Sequence, residues 1–284
     1  MKLTRFRINN EISFGLIQQQ GVIDFNKINL PYKSLQEIIQ DGKDALNVVE
    51  QFCAGKSAHY KLSEVTLLAP VPRPGKFLAI GMNYKKHEEE ADRLGVAKRA
   101  YQTWFNKQIT CVNDPFGIID PGVTQQLDYE VELGVVIGKK SKNLTVENVR
   151  DSIFGYLVVN DVSARDWQFH TPTFTMGKSF DTHGPIGPWI ITADEIKDPQ
   201  KLELRCYVNG ELRQANNTSE MIHSINDQLI YLSTAFTLEP GDIIATGTPE
   251  GVGVAMNPQV FLHEGDIVKC EIESIGFIEN KVSA

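Results

Sequence analysis

No run of about 18 consecutive apolar residues occurs in the 284-residue sequence, so it offers no transmembrane helix. There is no C-x-x-C pair. The four cysteines, Cys53, Cys111, Cys206 and Cys270, are scattered, which speaks against a zinc ribbon or a disulfide framework and fits reduced thiols in a cytoplasmic protein. No basic block offsets the formal net charge of −8, which argues against nucleic acid as a partner. The glycine-rich stretch ATGTPEGVG, 245–253, lacks the residue order of a phosphate loop. Internal repeats and low-complexity segments are absent. The opening MKLTRFRINNEISFG has no apolar secretory core and alternates like a strand. What remains is an ordinary globular composition, 42% apolar and 23% charged. Its acidic field repels anions, so an anionic substrate needs a local cationic site.

Residues 1–70 read as a small α/β domain: strand-like alternation, then helical periodicity in SLQEIIQDGKDALNVVEQFCAG with Gly55 as the stop. The stiff segment APVPRPGK marks a boundary. Residues 71–284 are rich in short apolar runs separated by turns, so the fold class is α+β, mainly β. Helices are expected at TVENVRDSI and SINDQLIYLSTAF.

The segment LDYEVELGVVIG, 127–138, carries an electrostatic problem. As a strand it puts Leu127, Tyr129, Val131, Leu133, Val135 and Ile137 on one face, and Asp128, Glu130 and Glu132 on the other. Carboxylates two residues apart, at about 7 Å, repel by about 2 kcal/mol at an effective dielectric near 20. Either the acidic face is solvated, or a divalent cation turns repulsion into attraction. The glycines that follow, Gly134 and Gly138, suit close approach to the backbone.

Asp161 ends the strand in GYLVVNDVSARDWQ. It either caps the helix that follows or completes an all-oxygen site with Glu130 and Glu132, suited to Mg²⁺ first, with Mn²⁺ or Ca²⁺ as alternatives. In GMNYKKHEEEADRLG, Asn83 can start a helix and Gly95 can end it. His87 and Glu90 then share a face, as a base with its orienting carboxylate or as part of a charged surface helix. Lys178, in the loop MGKSFDTHGPIGP, can hold a carboxylate or enolate oxygen, or sit in solvent. His183 in the same loop reads as structural.

Taken in order, GMNYKKHEEE, LDYEVELGVVIGKK, GYLVVNDVSARDWQ, GKSFDTHGPIGP, VNGELRQ, ATGTPEGVG and FLHEGDIVKCEIESIGFIEN resemble the fumarylacetoacetate hydrolase family. The combination of D-x-E-x-E, N-D-V-[ST]-A-R-D and T-G-T-P-x-G-V-G is specific. The resemblance implies a mixed β-roll catalytic domain behind a small N-terminal domain, assembled as a homodimer. It implies Glu130, Glu132 and Asp161 as metal ligands, with Asp128 behind them. His87 and Glu90 become a water-activating dyad on a lid, and Lys178 a catalytic, substrate-facing group. Tyr84, Lys107, Gln168 and Thr248 become substrate-binding. Two departures bear on the substrate: Met82 stands where many relatives have arginine, and Thr110 and Cys111 replace a serine pair.

The implied activity is metal-dependent hydrolysis of a carbon–carbon bond in a small anionic 2,4-diketo acid or acylpyruvate. His87 takes a proton from water, which attacks the distal carbonyl, and the metal and Lys178 stabilise the departing enolate. Without water attack, the same site would serve a tautomerase, isomerase or decarboxylase acting on oxaloacetate or a related 2-oxo acid. A non-catalytic metabolite-binding module is a further alternative, and the His87/Glu90 pair speaks against it.

Overall fold

The computed structural model describes residues 1–93, 95–96 and 100–284. The N-terminal alternation makes β1 (Lys2–Ile8), β2 (Glu11–Gln18) and β3 (Gly21–Asp24), the first two joined at Asn9 and Asn10 with φ of 48° and 65°. Asparagine tolerates that left-handed geometry, which suits a tight hairpin. The expected single helix is two. Gly42, at φ 58°, ends α1 (Leu35–Asp41) and opens α2 (Lys43–Cys53), while Gly55 lies just beyond as expected. Short β4 (Tyr60–Lys61) and β5 (Thr66–Leu68) precede the proline segment.

Beyond the prolines come β6 (Phe77–Gly81), α3 (Lys85–Arg93), β7 (Thr103–Lys107), β8 (Val112–Asn113), β9 (Ile118–Ile119) and β10 (Leu127–Asp128). They are followed by β11 (Val131–Ile137), β12 (Ile153–Asn160), β13 (Ser163–Ala164), α4 (Arg165–Gln168) and β14 (Gly184–Thr192). The chain closes with β15 (Glu203–Val208), β16 (Glu211–Asn217), α5 (Ile225–Ala235), β17 (Ile243–Ala245), β18 (Ile267–Ile272) and β19 (Gly276–Val282). The α5 helix matches its expectation and starts at a capping box between Ser224 and Asp227. The helix expected at TVENVRDSI shrinks to a 3₁₀ turn, Val149–Ser152. There the Asn148 side chain accepts from Thr145 N and competes with helical bonding.

Among the described residues, twelve strands form one sheet in the order β4-β3-β2-β1-β14-β12-β11-β17-β6-β7, with β5 on β1 and β8 on β14. A second sheet runs β16-β15-β18-β19-β9, and β10 pairs with β13. The N-terminal strands enter the large sheet through antiparallel pairing of β1 with β14. Their side chains Leu3, Phe14 and Ile23 share an apolar cluster with Phe77, Ala79 and Val136.

Both faces of β11 are buried. Val131, Leu133, Val135 and Ile137 pack toward the second sheet, with Leu204, Val268, Cys270 and Ile278. Val136 packs toward the helical layer, with Leu35, Ile38 and Val49. The apolar back of the acidic segment is therefore the core between the sheets. Gly134 and Gly138 serve packing: a Cβ on Gly134 would lie 2.4 Å from Leu157 Cδ1, and one on Gly138 2.8 Å from Phe154 Cβ. No helix among the described residues is long and apolar enough to cross a membrane, and all four cysteines are unbridged and buried.

Gly134→Val should overpack β12 and cost about 1–3 kcal/mol. The expected readout is a lower urea midpoint at unchanged m value; a midpoint equal to the parent's would refute the packing account.

Candidate active site

The β11–β12 ladder, in the register Val131↔Asn160 and Glu132↔Val159, ends where the acids cluster. LDYEVELGVVIG is not one continuous strand, because it breaks at Tyr129 and Glu130. Across the break, Asp161 N donates to Glu130 O at 2.9 Å, and Glu130 N donates to Asn160 Oδ1 at 3.1 Å. The consequence is convergence: one oxygen each from Glu130, Glu132 and Asp161 lie within 4.8 Å of one another. All three side chains are buried, so a solvated acidic face is excluded. Asp161 caps nothing, since the residue at the N-cap of α4 is Ala164.

Cations answer most of this charge. Lys178 Nζ lies 2.7 Å from Glu130 Oε2 and 2.8 Å from Asp161 Oδ2. Lys107 Nζ holds Asp161 Oδ1 and the Lys178 carbonyl. Arg165 reaches Glu130 Oε1 at 2.7 Å and Asp128 Oδ2 at 2.8 Å. Against the upward push of burial, Lys178 and then Arg165 hold Glu130 down to about 2. Glu132 fares differently. Its hydrogen-bond partner is the Gly247 N–H, at 2.8 Å, and among the described residues no cation pairs with it. Burial first, then Asp161 and Glu130, push its pKa well above the carboxylate range. Fully ionised, the four buried carboxylates (Asp128, Glu130, Glu132, Asp161) exceed the three buried cations (Lys107, Arg165, Lys178) by one negative charge. A hard divalent cation fits this donor set, and would leave the cluster with one net positive charge.

The second half of the site is α3. Asn83 does not cap it. Asn83 is buried instead, accepting from His223 N at 2.8 Å and donating to Thr246 O at 2.8 Å, which pins the base of the helix. Gly95, at φ 81°, ends it in a Schellman motif, with Gly95 N on Asp92 O and Val96 N on Ala91 O, both 2.9 Å. His87 Nδ1 lies 3.2 Å from Glu90 Oε2, and Glu90 Oε1 accepts from Gly251 N at 3.1 Å. A proton on Nδ1, donated to Glu90, leaves His87 Nε2 as the basic nitrogen.

A cavity of about 70 Å³ joins the halves. His87, Glu90, Glu130, Glu132, Arg165, Gln168, Lys178 and Thr248 line it, together with apolar side chains that include Met82, Phe105, Phe169 and Phe174. One water needs about 10–15 Å³ of such space, so a small acid can replace several. Gln168 Oε1 accepts from Arg165 at 2.9 Å, which leaves its NH₂ group for a ligand. The Thr248 hydroxyl is already engaged, donating to Val131 O and accepting from Gln214, both at 2.9 Å. Tyr84 and Lys107, expected on substrate, lie off the cavity wall. Lys107 is spent on Asp161, and the Tyr84 phenol is fully buried, its pKa raised by burial and then by Glu132 and Glu250. Sequence reasoning passed over Arg165 and Gln214. Their one signal is that both stand in the family-like motifs, Arg165 in NDVSARD and Gln214 in VNGELRQ.

His183 is structural as expected: buried, its Nε2–H on Asp120 O at 2.9 Å, its ring stacked on Phe180 at 5.2 Å.

The family model described as fumarylacetoacetate (FAA) hydrolase C-terminal matches residues 76–283. The chain belongs to the fumarylacetoacetate hydrolase family. It is similar to the mitochondrial oxaloacetate tautomerase FAHD2B of Bos taurus, with 43% identity over 92% of this chain and 84% of that one. The human mitochondrial oxaloacetate tautomerase FAHD2A is 41% identical over 99% of this chain and 91% of its own. The solved fumarylacetoacetate hydrolase of psychrophilic Exiguobacterium antarcticum superposes with a TM-score of 0.84 at 36% identity, covering 100% of this chain and 99% of the other. A maleylpyruvate hydrolase from Sphingobium sp. SYK-6, in complex with manganese(II) ion and pyruvate, gives 0.82 at 29% identity over 100% and 99%. The fold is that of the family, and the chain is an enzyme of hydrolase or tautomerase/isomerase type.

Two tests follow. Mn²⁺ at about 100 times its dissociation constant should stabilise the protein by about 2.7 kcal/mol. Glu132→Gln should keep the metal-free melting temperature and lose that gain; a full gain in the variant would contradict the assignment. For His183, burial first and then Lys107 lower the pKa from 6.5 to about 4. The unfolded chain therefore takes up this proton first, and the stability His183 contributes above pH 6.5 is lost as the pH falls toward 4. His183→Gln should flatten the urea midpoint across that window relative to the parent.

Proposed function

We propose that this enzyme carries out enolate chemistry on a small 2-oxo acid, and that its reaction is keto–enol tautomerisation of oxaloacetate or a close analogue. One observation carries the reading: His87, locked by Glu90, shares a cavity wall with Lys178 and two carboxylates of the acidic cluster. Mg²⁺ is the cation proposed, held by Glu130, Glu132 and Asp161, where it would polarise the 2-oxo and carboxylate oxygens and favour the enolate. From the keto form, His87 Nε2 takes a proton from the carbon next to the carbonyl while Glu90 holds the imidazolium, and the enolate oxygen takes up a proton from water to give the enol; in the other direction the enol oxygen gives up its proton to water and His87 delivers one to the carbon. Lys178 meets the negative charge that develops on the oxygen, and the Gln168 NH₂ group orients a carboxylate oxygen. Tautomerisation asks no more than this of the chain. The names of relatives about 40% identical over nearly the whole chain support it.

Hydrolysis of a 2,4-diketo acid or acylpyruvate is the second reading, favoured by the same dyad as a water activator and by likeness to the maleylpyruvate hydrolase. Four unbridged thiols support a cytoplasmic setting, although several relatives carry "mitochondrial" in their names. A homodimer completes the proposal and is checked by light scattering.

The deciding assay follows decay of enol-oxaloacetate beside cleavage of an acylpyruvate, with and without chelation. Wild type should accelerate the first; acylpyruvate cleavage alone would move the reading to a hydrolase. His87→Ala should lose about 10²–10⁴-fold in rate and still bind Mn²⁺. Undiminished turnover after chelation and dialysis would sink the metal's role.

A further inference from the structure

We infer that Gln214 is a positioning residue that ties the metal ligands to the His87/Glu90 dyad. The inference rests on the reading that Glu130, Glu132 and Asp161 hold a divalent cation. Gln214 comes from β16 in the second sheet, does not line the active-site cavity, and is 1% exposed. Its Oε1 accepts from Val131 N at 3.0 Å. Its Nε2 donates to Thr248 Oγ1 and to Pro249 O, both at 2.9 Å. Both amide protons and the carbonyl oxygen are in use, so the group cannot flip without setting like against like.

The location explains the need. Val131 is the residue between the two ligand glutamates. On that side of β11 the neighbour β17 pairs only as far as Gly134↔Ala245. Past that point the pairing with β17 has ended, so on this side the Val131 N–H and carbonyl have no strand partner. Gln214 serves its N–H and Thr248 serves its carbonyl, at 2.9 Å. The same amide grips the turn whose Gly247 N–H holds Glu132 and whose Gly251 N–H holds Glu90. The acceptor end of Gln214 thus steadies the ligand pair, and its donor end steadies the turn behind the dyad.

The two ends separate experimentally. Gln214→Met removes both. Gln214→Glu keeps an acceptor for Val131 N and loses the donors. Wild-type Mn²⁺ binding is measured first, by electron paramagnetic resonance of the free ion; if wild type binds no Mn²⁺, the metal reading fails rather than this one. With wild type binding, folded Q214M should bind Mn²⁺ about 10–100-fold more weakly, the usual cost of losing a partner behind a metal ligand. Q214E should bind Mn²⁺ at least as tightly as wild type but lose about 10-fold or more in kcat. A Q214M protein with native circular dichroism and the wild-type Mn²⁺ constant overturns the inference, as does Q214E with the wild-type kcat. Should Q214M fail to fold, Q214E alone decides.

Discussion

A carboxylate without a counter-charge is expensive to bury, and here three converge at the end of one strand pair. At 4.8 Å, two such charges repel by about 3 kcal/mol even at an effective dielectric near 20. Arg165, Lys107 and Lys178 are buried to answer Asp128, Glu130 and Asp161, and they are well placed for it. Glu132 gets one backbone N–H. The imbalance has a chemical use. A site short of one cationic partner gathers a cation from solution, and the extra positive charge it brings is then available to an anionic substrate.

Backbone geometry sets where that deficit sits. Where β17 stops, side chains from elsewhere continue the ladder, because a buried peptide group left unpaired costs more than the hydrogen bond itself. The turn after β17 needs glycine at two places. Gly247 (φ 99°) would put a Cβ 2.7 Å from Asn83 Cβ, and Gly251 (φ 98°) would put one 2.1 Å from Arg213 O. Those two residues point their N–H groups at Glu132 and Glu90. One turn therefore fixes a member of the acidic cluster and the orienting partner of the base, so the distance between ion and base is a property of the scaffold.

The acidic cluster was legible because two periodic signals met: alternation through Glu130 and Glu132, and a strand ending at Asp161. Spacing placed His87 and Glu90 on one helix face, since positions three apart share it, but left a charged surface helix open; the dyad reading came from the family resemblance. The mainly-β class followed from short apolar runs. Other features depend on contacts that no local pattern encodes. The break at Tyr129 and Glu130 exists because Asn160 and Gln214, 30 and 83 residues away, supply the bonds a strand neighbour would have made. Lys107 was expected on substrate from the family resemblance; its ammonium sits on Asp161. The helix expected near Asn148 lost to a side chain that bonds the backbone locally, and Gly42 split a helix whose apolar spacing runs on across it.

The placement of charge also narrows what the cavity can do. Its two lining cations, Arg165 and Lys178, already hold carboxylates, while the Gln168 NH₂ group is left for a ligand. In the proposed function, a cation at the acidic cluster and that NH₂ group would together anchor the 2-oxo acid end of the substrate. Met82, Phe105, Phe169 and Phe174 make part of the cavity lining apolar. Catalysis rewards what the transition state has and the ground state lacks. In this site that is negative charge on the 2-oxo oxygen, beside Lys178 and the acidic cluster and within the same cavity as His87. Tautomerisation and carbon–carbon cleavage both pass through that charge. They diverge in what the base takes its proton from, a carbon or a water, and in whether a carbon–carbon bond then breaks.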